Sequence, residues 1–187
     1  MKKIIISAFA FTAVLFLLKS CTSQKIVVNR EVDSKYDGKM LLGYQKKEQL
    51  LKEPYSEWYK PEYENYTVDQ KALNGLKKEK LAAYNITLVL GTWCEDSHRE
   101  VPRFFKILDA VNFPVNKLTI LAVNRKYESP SGEEGPFNIQ RVPTIIVEKY
   151  GKEIGRIIEY PATGYLERDL LAILKKNNKT LKDLIKN

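Results

Sequence analysis

Two cysteines, Cys21 and Cys94, carry most of the chemical interest in this 187-residue chain. Cys94 stands in Gly91-Thr92-Trp93-Cys94-Glu95-Asp96-Ser97-His98, between an apolar, β-rich run and a stretch of helical periodicity. A cysteine at a helix N-terminus faces unpaired backbone N–H groups and the positive end of the helix dipole, which favours thiolate. Thiolate is the attacking species in disulfide exchange. Glu95 and Asp96 fall in the first turn, where their charge suits the dipole but opposes a neighbouring thiolate. His98, the one histidine, lies a helical turn beyond Cys94. It could steady a thiolate or pass a proton, but a side chain exposed on the helix is the simpler reading. One Cys and one His make a poor metal site, no zinc-ligand spacing occurs, and no glycine-rich phosphate loop is present. Neither a metal nor a cofactor is expected.

The elements that must position Cys94 are legible from residue 67 onward. Thr67-Val68-Asp69-Gln70 fits a capping box that starts a helix through about Lys77. Residues 86–90 form a short buried strand and residues 118–123 a second. Between them, residues 94–110 are helical, with Val101, Phe104, Phe105, Leu108 and Val111 on one face at spacings of three and four. A Gly/Pro/Glu loop covers 125–136. Residues 144–147 and 154–158 read as a hairpin around Tyr150-Gly151-Lys152. Residues 166–174 form a closing amphipathic helix, with a further turn or two at 181–185. A crossover helix between two buried strands implies parallel pairing, and the late hairpin adds an antiparallel edge. The fold class is α/β, a mixed central sheet flanked by helices.

The N-terminal end reads differently. Lys2 and Lys3 precede an apolar run over residues 4–18, interrupted only by Ser7 and Thr12 and short for a bilayer span. The run closes on Leu18-Lys19-Ser20-Cys21, which resembles the lipobox of bacterial lipoproteins. The resemblance implies a signal peptide over 1–20 and lipidation of Cys21. Removing residues 1–20 from the 187 leaves 167 and takes three lysines with it, lowering the formal charge from +8 to +5. A lipidated Cys21 would leave Cys94 as the single thiol, so no internal disulfide could form. The basic balance suits anionic head groups or acidic partners, or simply a soluble lysine-rich surface, and an exported chain rarely meets nucleic acid. Residues 21–66 are expected to form a tether and N-terminal extension. Its aromatic stretch at 55–66 is expected to pack on the domain's own surface. Residues 178–187 form a C-terminal tail or short helix.

Around Cys94 the sequence resembles the thioredoxin family over residues 67–177. The family's Trp-Cys-x-x-Cys appears as Trp93-Cys94-Glu95-Asp96-Ser97, Pro102 matches the proline inside the following helix, and Val142-Pro143-Thr144 matches the cis-proline that faces the active cysteine. Residues 137–141 lead into it as family members do, and Gly151 and Gly164 match later turns. The resemblance implies a thioredoxin-like fold with Trp93, Cys94, Ser97 and Pro143 forming the catalytic site. Three departures stand beside it: Ser97 cannot resolve a mixed disulfide although its hydroxyl could donate to the Cys94 thiolate, Leu88 occupies the place of the family's buried Asp, and Glu159 that of a groove glycine.

The expected function is thus a monothiol thiol–disulfide oxidoreductase of the cell envelope, lipid-anchored, facing the periplasm and monomeric. Its partners would be client proteins with cysteines or small-molecule thiols, in an isomerase-, reductase- or deglutathionylase-like role. The alternative is a redox-inactive thioredoxin-fold binding module.

Overall fold

A computed structural model describes residues 27–185. The expected signal segment and Cys21 lie outside the described residues. Eleven principal elements follow in order: β1 (Arg30–Ser34), β2 (Gly38–Gln45), α1 (Lys47–Leu50), α2 (Ser56–Asn65), α3 (Gln70–Lys78), β3 (Asn85–Leu90), α4 (Glu95–Ala110), β4 (Leu118–Ala122), β5 (Thr144–Lys149), β6 (Lys152–Ile158) and α5 (Leu166–Ile185). The strands form one six-stranded sheet of order β1-β2-β4-β3-β5-β6. β3 and β4 pair in parallel, as a crossover through α4 requires, and all other neighbours are antiparallel. This is the mixed α/β architecture expected, with the thiol at the carboxyl end of β3.

The pleat of the central strands sorts side chains onto two unequal faces. Ile86, Leu88 and Leu90 of β3, Ile120 and Ala122 of β4, and Ile145 and Val147 of β5 join the main core. Tyr59 of α2, Leu73 and Leu76 of α3, Phe104, Phe105 and Leu108 of α4, and Leu170 and Leu174 of α5 cover them. The opposite face holds a small cluster of Val89, Leu121, Val123 and Val142, packed by Trp93, Cys94, Tyr127, Phe137 and Ile139. Among the described residues, the cover on this second face is loop and a single 3-10 turn at Gly135–Phe137.

Several expectations change. Helix α3 is capped by Asp69 rather than Thr67: its Oδ1 accepts from the N–H groups of Lys71 (2.8 Å) and Ala72 (3.0 Å). A carboxylate two and three residues before the first free amides satisfies them directly. The ordered fold begins well before residue 67. Residues 30–45 are the sheet's first two strands, and Leu41, Leu50, Tyr55 and Tyr59 are buried in the main core. The aromatic stretch does pack on the chain itself, as its apolar ring area demands. Helix α5 runs without a break to Ile185, where a tail or separate short helix was expected. Its polar middle lacks an apolar stripe but is tied down by Asn178, which accepts from the Tyr84 hydroxyl (2.9 Å) and donates to Glu79 (2.7 Å).

Candidate functional site

Cys94 is the N-cap of α4, with extended backbone (φ −102°, ψ 123°). The turn that delivers it closes by Cys94 N–H donating to Gly91 O (3.0 Å), and the helix starts with His98 N–H on Cys94 O (3.0 Å). The residue is half-buried and unpaired as a thiol. Its S–H donates to the carbonyl of Val142 at 3.2 Å. That carbonyl belongs to the Val142–Pro143 peptide, which is cis as the family resemblance implied. The proline-bearing loop and the helix end thus meet at the sulfur, 48 residues apart in sequence.

The neighbouring residues are held by bonds of their own. Trp93 donates its indole N–H to Val123 O (2.9 Å), fixing the ring against the end of β4. Gly91 must be small there, since a Cβ would lie 2.7 Å from the ring. Thr92 Oγ1 accepts from Leu41 N–H (3.2 Å), joining β2 to the loop. Leu88, in the strand below, is fully buried in the main core. Pro102 lies inside α4 and removes the N–H that His98 O would otherwise accept.

Ser97 and His98 behave differently from expectation. Ser97 is fully buried, and its hydroxyl accepts from Gly91 N–H (3.3 Å). No hydrogen bond joins it to Cys94; the buried amide of the turn has the stronger claim on the nearest acceptor. His98 is neither exposed nor bonded to the thiol. Its ring stacks on Trp58 of α2 (centroids 4.4 Å apart, planes 13° apart) and its Nε2 lies 2.8 Å from Thr92 O. A carbonyl only accepts, so that nitrogen carries the proton. His98 therefore buttresses the loop from behind.

Two charged residues at the site had escaped the sequence reading. Arg125, just past β4, lies with its guanidinium 5.0 Å from the Trp93 ring centre. It is clamped by Asp37, whose oxygens accept from Arg125 Nε at 2.9 and 3.1 Å and from Nη2 at 2.5 Å. Asp37 comes from the turn between β1 and β2. The Arg125 hydrogen bonds hold its carboxyl below the usual range. The hydrogen bond to Asp37 in turn raises the pKa of Arg125, so its guanidinium stays charged. The signal that could have found this turn is the dipeptide Asp37-Gly38, which closes hairpins because Gly38 takes φ +67° without cost. Arg125 itself has no local signature.

On the cis-proline loop, Arg141 donates Nη1–H to both carboxylate oxygens of Glu159 (2.9 and 3.0 Å), and Glu159 N–H donates to Pro143 O (2.7 Å). Glu159 holds φ +60°, a conformation that glycine adopts freely. The first-turn acids are spread apart: Asp96 pairs with Arg99 (2.8 Å), while Glu95 is exposed. Among the described residues, no group of three or more His, Cys, Asp or Glu is placed to hold a metal, and no helix is long and apolar enough to cross a membrane.

No protein-family model matches the sequence, and no curated protein is similar enough to it to be matched. Among solved structures, the fold is similar to a protein of unknown function from Pseudomonas aeruginosa, with TM-score 0.46 and 14% identity over 65% of this chain and 82% of that one. It is also similar to oxidised thioredoxin O2 of Arabidopsis thaliana (TM-score 0.35, 18% identity, 57% of this chain and 83% of that one). Mitochondrial thioredoxin 3 of Saccharomyces cerevisiae aligns with TM-score 0.31 and 20% identity over 52% of this chain and 86% of that one.

Proposed function

We propose that this chain is a monothiol thiol–disulfide exchange protein, held at the cell envelope by a lipid on Cys21, with Cys94 as its nucleophile. The observation that carries the reading is the position of the Cys94 sulfur: accessible, at the N-terminus of a 16-residue helix, and 3.2 Å from the carbonyl before a cis-proline. In the first step the Cys94 thiolate attacks one sulfur of a client disulfide. A new S–S bond forms, the old one breaks, and the second client sulfur leaves as a thiolate. In the second step an external thiolate attacks the mixed disulfide and frees Cys94, so the disulfide passes outward and the enzyme returns unchanged. Trp93 and Pro143 shape the surface on which the client sulfur approaches. Ser97 supports the turn through Gly91 and takes no part in resolution, because an alcohol does not displace a thiolate.

The binding-module alternative draws support from Ser97, Leu88 and Glu159, which stand where a dithiol cycle would need a second thiol, a buried acid and a groove glycine. The two readings separate on covalent chemistry. Intact-mass measurement after treatment with a small disulfide should show one removable adduct on Cys94 and no internal disulfide. Ser97→Cys should shorten the adduct's life and yield an internal disulfide, since the second thiol then attacks at high effective concentration. A wild-type Cys94 that forms no adduct where Ser97→Cys does would leave the binding module as the function. Separately, Cys21→Ser should release the protein from the membrane fraction; retention there would remove the lipid anchor from the proposal.

A further inference from the structure

Resting on that reading of Cys94, we infer that Arg125 and Arg141 form a cationic rim that selects clients whose reacting sulfur is flanked by carboxylates. The two arginines belong to the two segments that meet at the thiol, Arg125 through the Trp93 ring and Arg141 through the cis-proline loop. Arg125 lies against Trp93, the residue before Cys94, and Arg141 precedes Val142, whose carbonyl receives the thiol proton. Tyr127 tilts against Trp93 with ring centres 6.2 Å apart and packs the same small cluster as Cys94 and Val142.

Each arginine has a carboxylate partner, and a simple count of charge would cancel them. Exposure separates the signs. The side chain of Arg125 is 59% exposed against 10% for Asp37, and that of Arg141 is 62% exposed against 24% for Glu159. The carboxylates sit beneath and the guanidiniums face outward. Asp37 engages Nε and Nη2 of Arg125, and Glu159 engages only Nη1 of Arg141, so each fork keeps free N–H donors. A planar fork with free donors is matched in geometry and charge by a carboxylate. The half-buried acids act as clamps that lower the entropy cost of ordering each long side chain before the client arrives. Glu95 is the opposing charge on the same surface. Asp96 is already paired with Arg99.

The test compares rates of mixed-disulfide formation at Cys94 with small disulfides of one scaffold size. Dithiodipropionate is anionic, hydroxyethyl disulfide neutral and cystamine cationic, and free cysteine serves as the reference for each. Disulfide-linked dimers of Glu-Cys-Glu and Lys-Cys-Lys peptides form a second arm. At low salt the anionic reagents should outrun the cationic ones by about tenfold beyond the free-cysteine ratio, and 1 M NaCl should collapse the preference. Arg125→Gln and Arg141→Gln should each remove a large part of it while leaving the neutral rate within about twofold, and Glu95→Gln should enlarge it. A preference in both arms assigns carboxylate-bearing small thiols and acidic proteins alike. A preference confined to the peptides assigns acidic protein segments. Equal normalised rates in both arms, or a preference untouched by both arginine variants, overturn the inference. Failure of the neutral disulfide to react at all overturns the exchange reading beneath it instead.

Discussion

The two faces of the sheet differ in what covers them, and the difference separates stability from chemistry. The face built on Leu88, Ile120 and Val147 lies under four helices, with Tyr59, Phe104, Phe105 and Leu174 almost fully buried. The face built on Val89, Leu121 and Val123 lies under loop residues, and its packing partners include the half-buried Trp93 and Cys94. Helices close-pack and exclude water; loops held by individual hydrogen bonds leave side chains reachable. The thiol sits where the two regimes meet, because the N-terminus of α4 belongs to the helical face and the cis-proline loop to the other.

Damage to the helical face should have the largest effect on stability and leave reactivity at the thiol untouched. Phe105→Ala removes a ring that is 1% exposed and tilted against Tyr59 at 6.1 Å. It should cost about 3–5 kcal/mol in urea unfolding. The rate of Cys94 alkylation per folded molecule should be unchanged, and a large change would mean that the two faces are coupled.

Alkaline pH tests the same face by charge. Burial pushes the hydroxyls of Tyr55, Tyr59 and Tyr66 far up, and burial with the Asp109 hydrogen bond pushes Tyr63 up to about 12. In the unfolded chain these phenols ionise near pH 10. Groups raised on folding contribute stability that is complete below that pH and is lost as pH climbs. The melting temperature should therefore fall steeply above about pH 10, and Tyr55→Phe should blunt the fall. A flat profile to pH 12 would contradict the burial of these rings.

The loop-covered face should respond more weakly in stability and more strongly at the site. Gly91→Ala forces a methyl against the Trp93 ring and should cost about 1–3 kcal/mol. It should also loosen the Val123 bond and shift Trp93 fluorescence, read in a Trp58→Phe background. Stability loss without any spectral shift would place the strain elsewhere.

The smallest effect belongs to Asp37→Asn. Arg125 holds the Asp37 carboxyl low, so its contribution is present above the ordinary carboxylate range and lost as pH falls through the lowered value. The pair is largely exposed on the arginine side, and the loss should be under about 1 kcal/mol at neutral pH and vanish in strong acid, once the pH has fallen past the lowered value. Thermal melts at the two pH values check this. A loss that persists at acid pH would assign Asp37 a packing role instead of a charge role.

Much of the fold was legible because its signals are local. The apolar run of β3, the stripe of α4 and the turn at Gly151 each lie within a few residues, and the parallel pairing of β3 with β4 follows from the connection between them. The site was partly legible for the same reason: Cys94 follows a strand and opens a helix, and Val142-Pro143 can be recognised as a motif. Its supports were not. Ser97 was expected to face the thiol, yet the nearest unsatisfied amide was Gly91, a matter of rotamer and burial. His98 looked exposed because α2, which supplies Trp58, reaches it from 40 residues upstream.

What the sequence by itself determined is the strand–thiol–helix unit, the cis-proline segment and the absence of a second thiol at position 97, since each depends on residue type and short spacing. Only the tertiary structure decided that the residues before 67 complete the sheet, and that Asp37 crosses 88 positions to clamp Arg125 beside Trp93. Hydrogen bonds between charged side chains impose no periodicity on the segments that carry them. They exist only once the backbone has brought the two ends together.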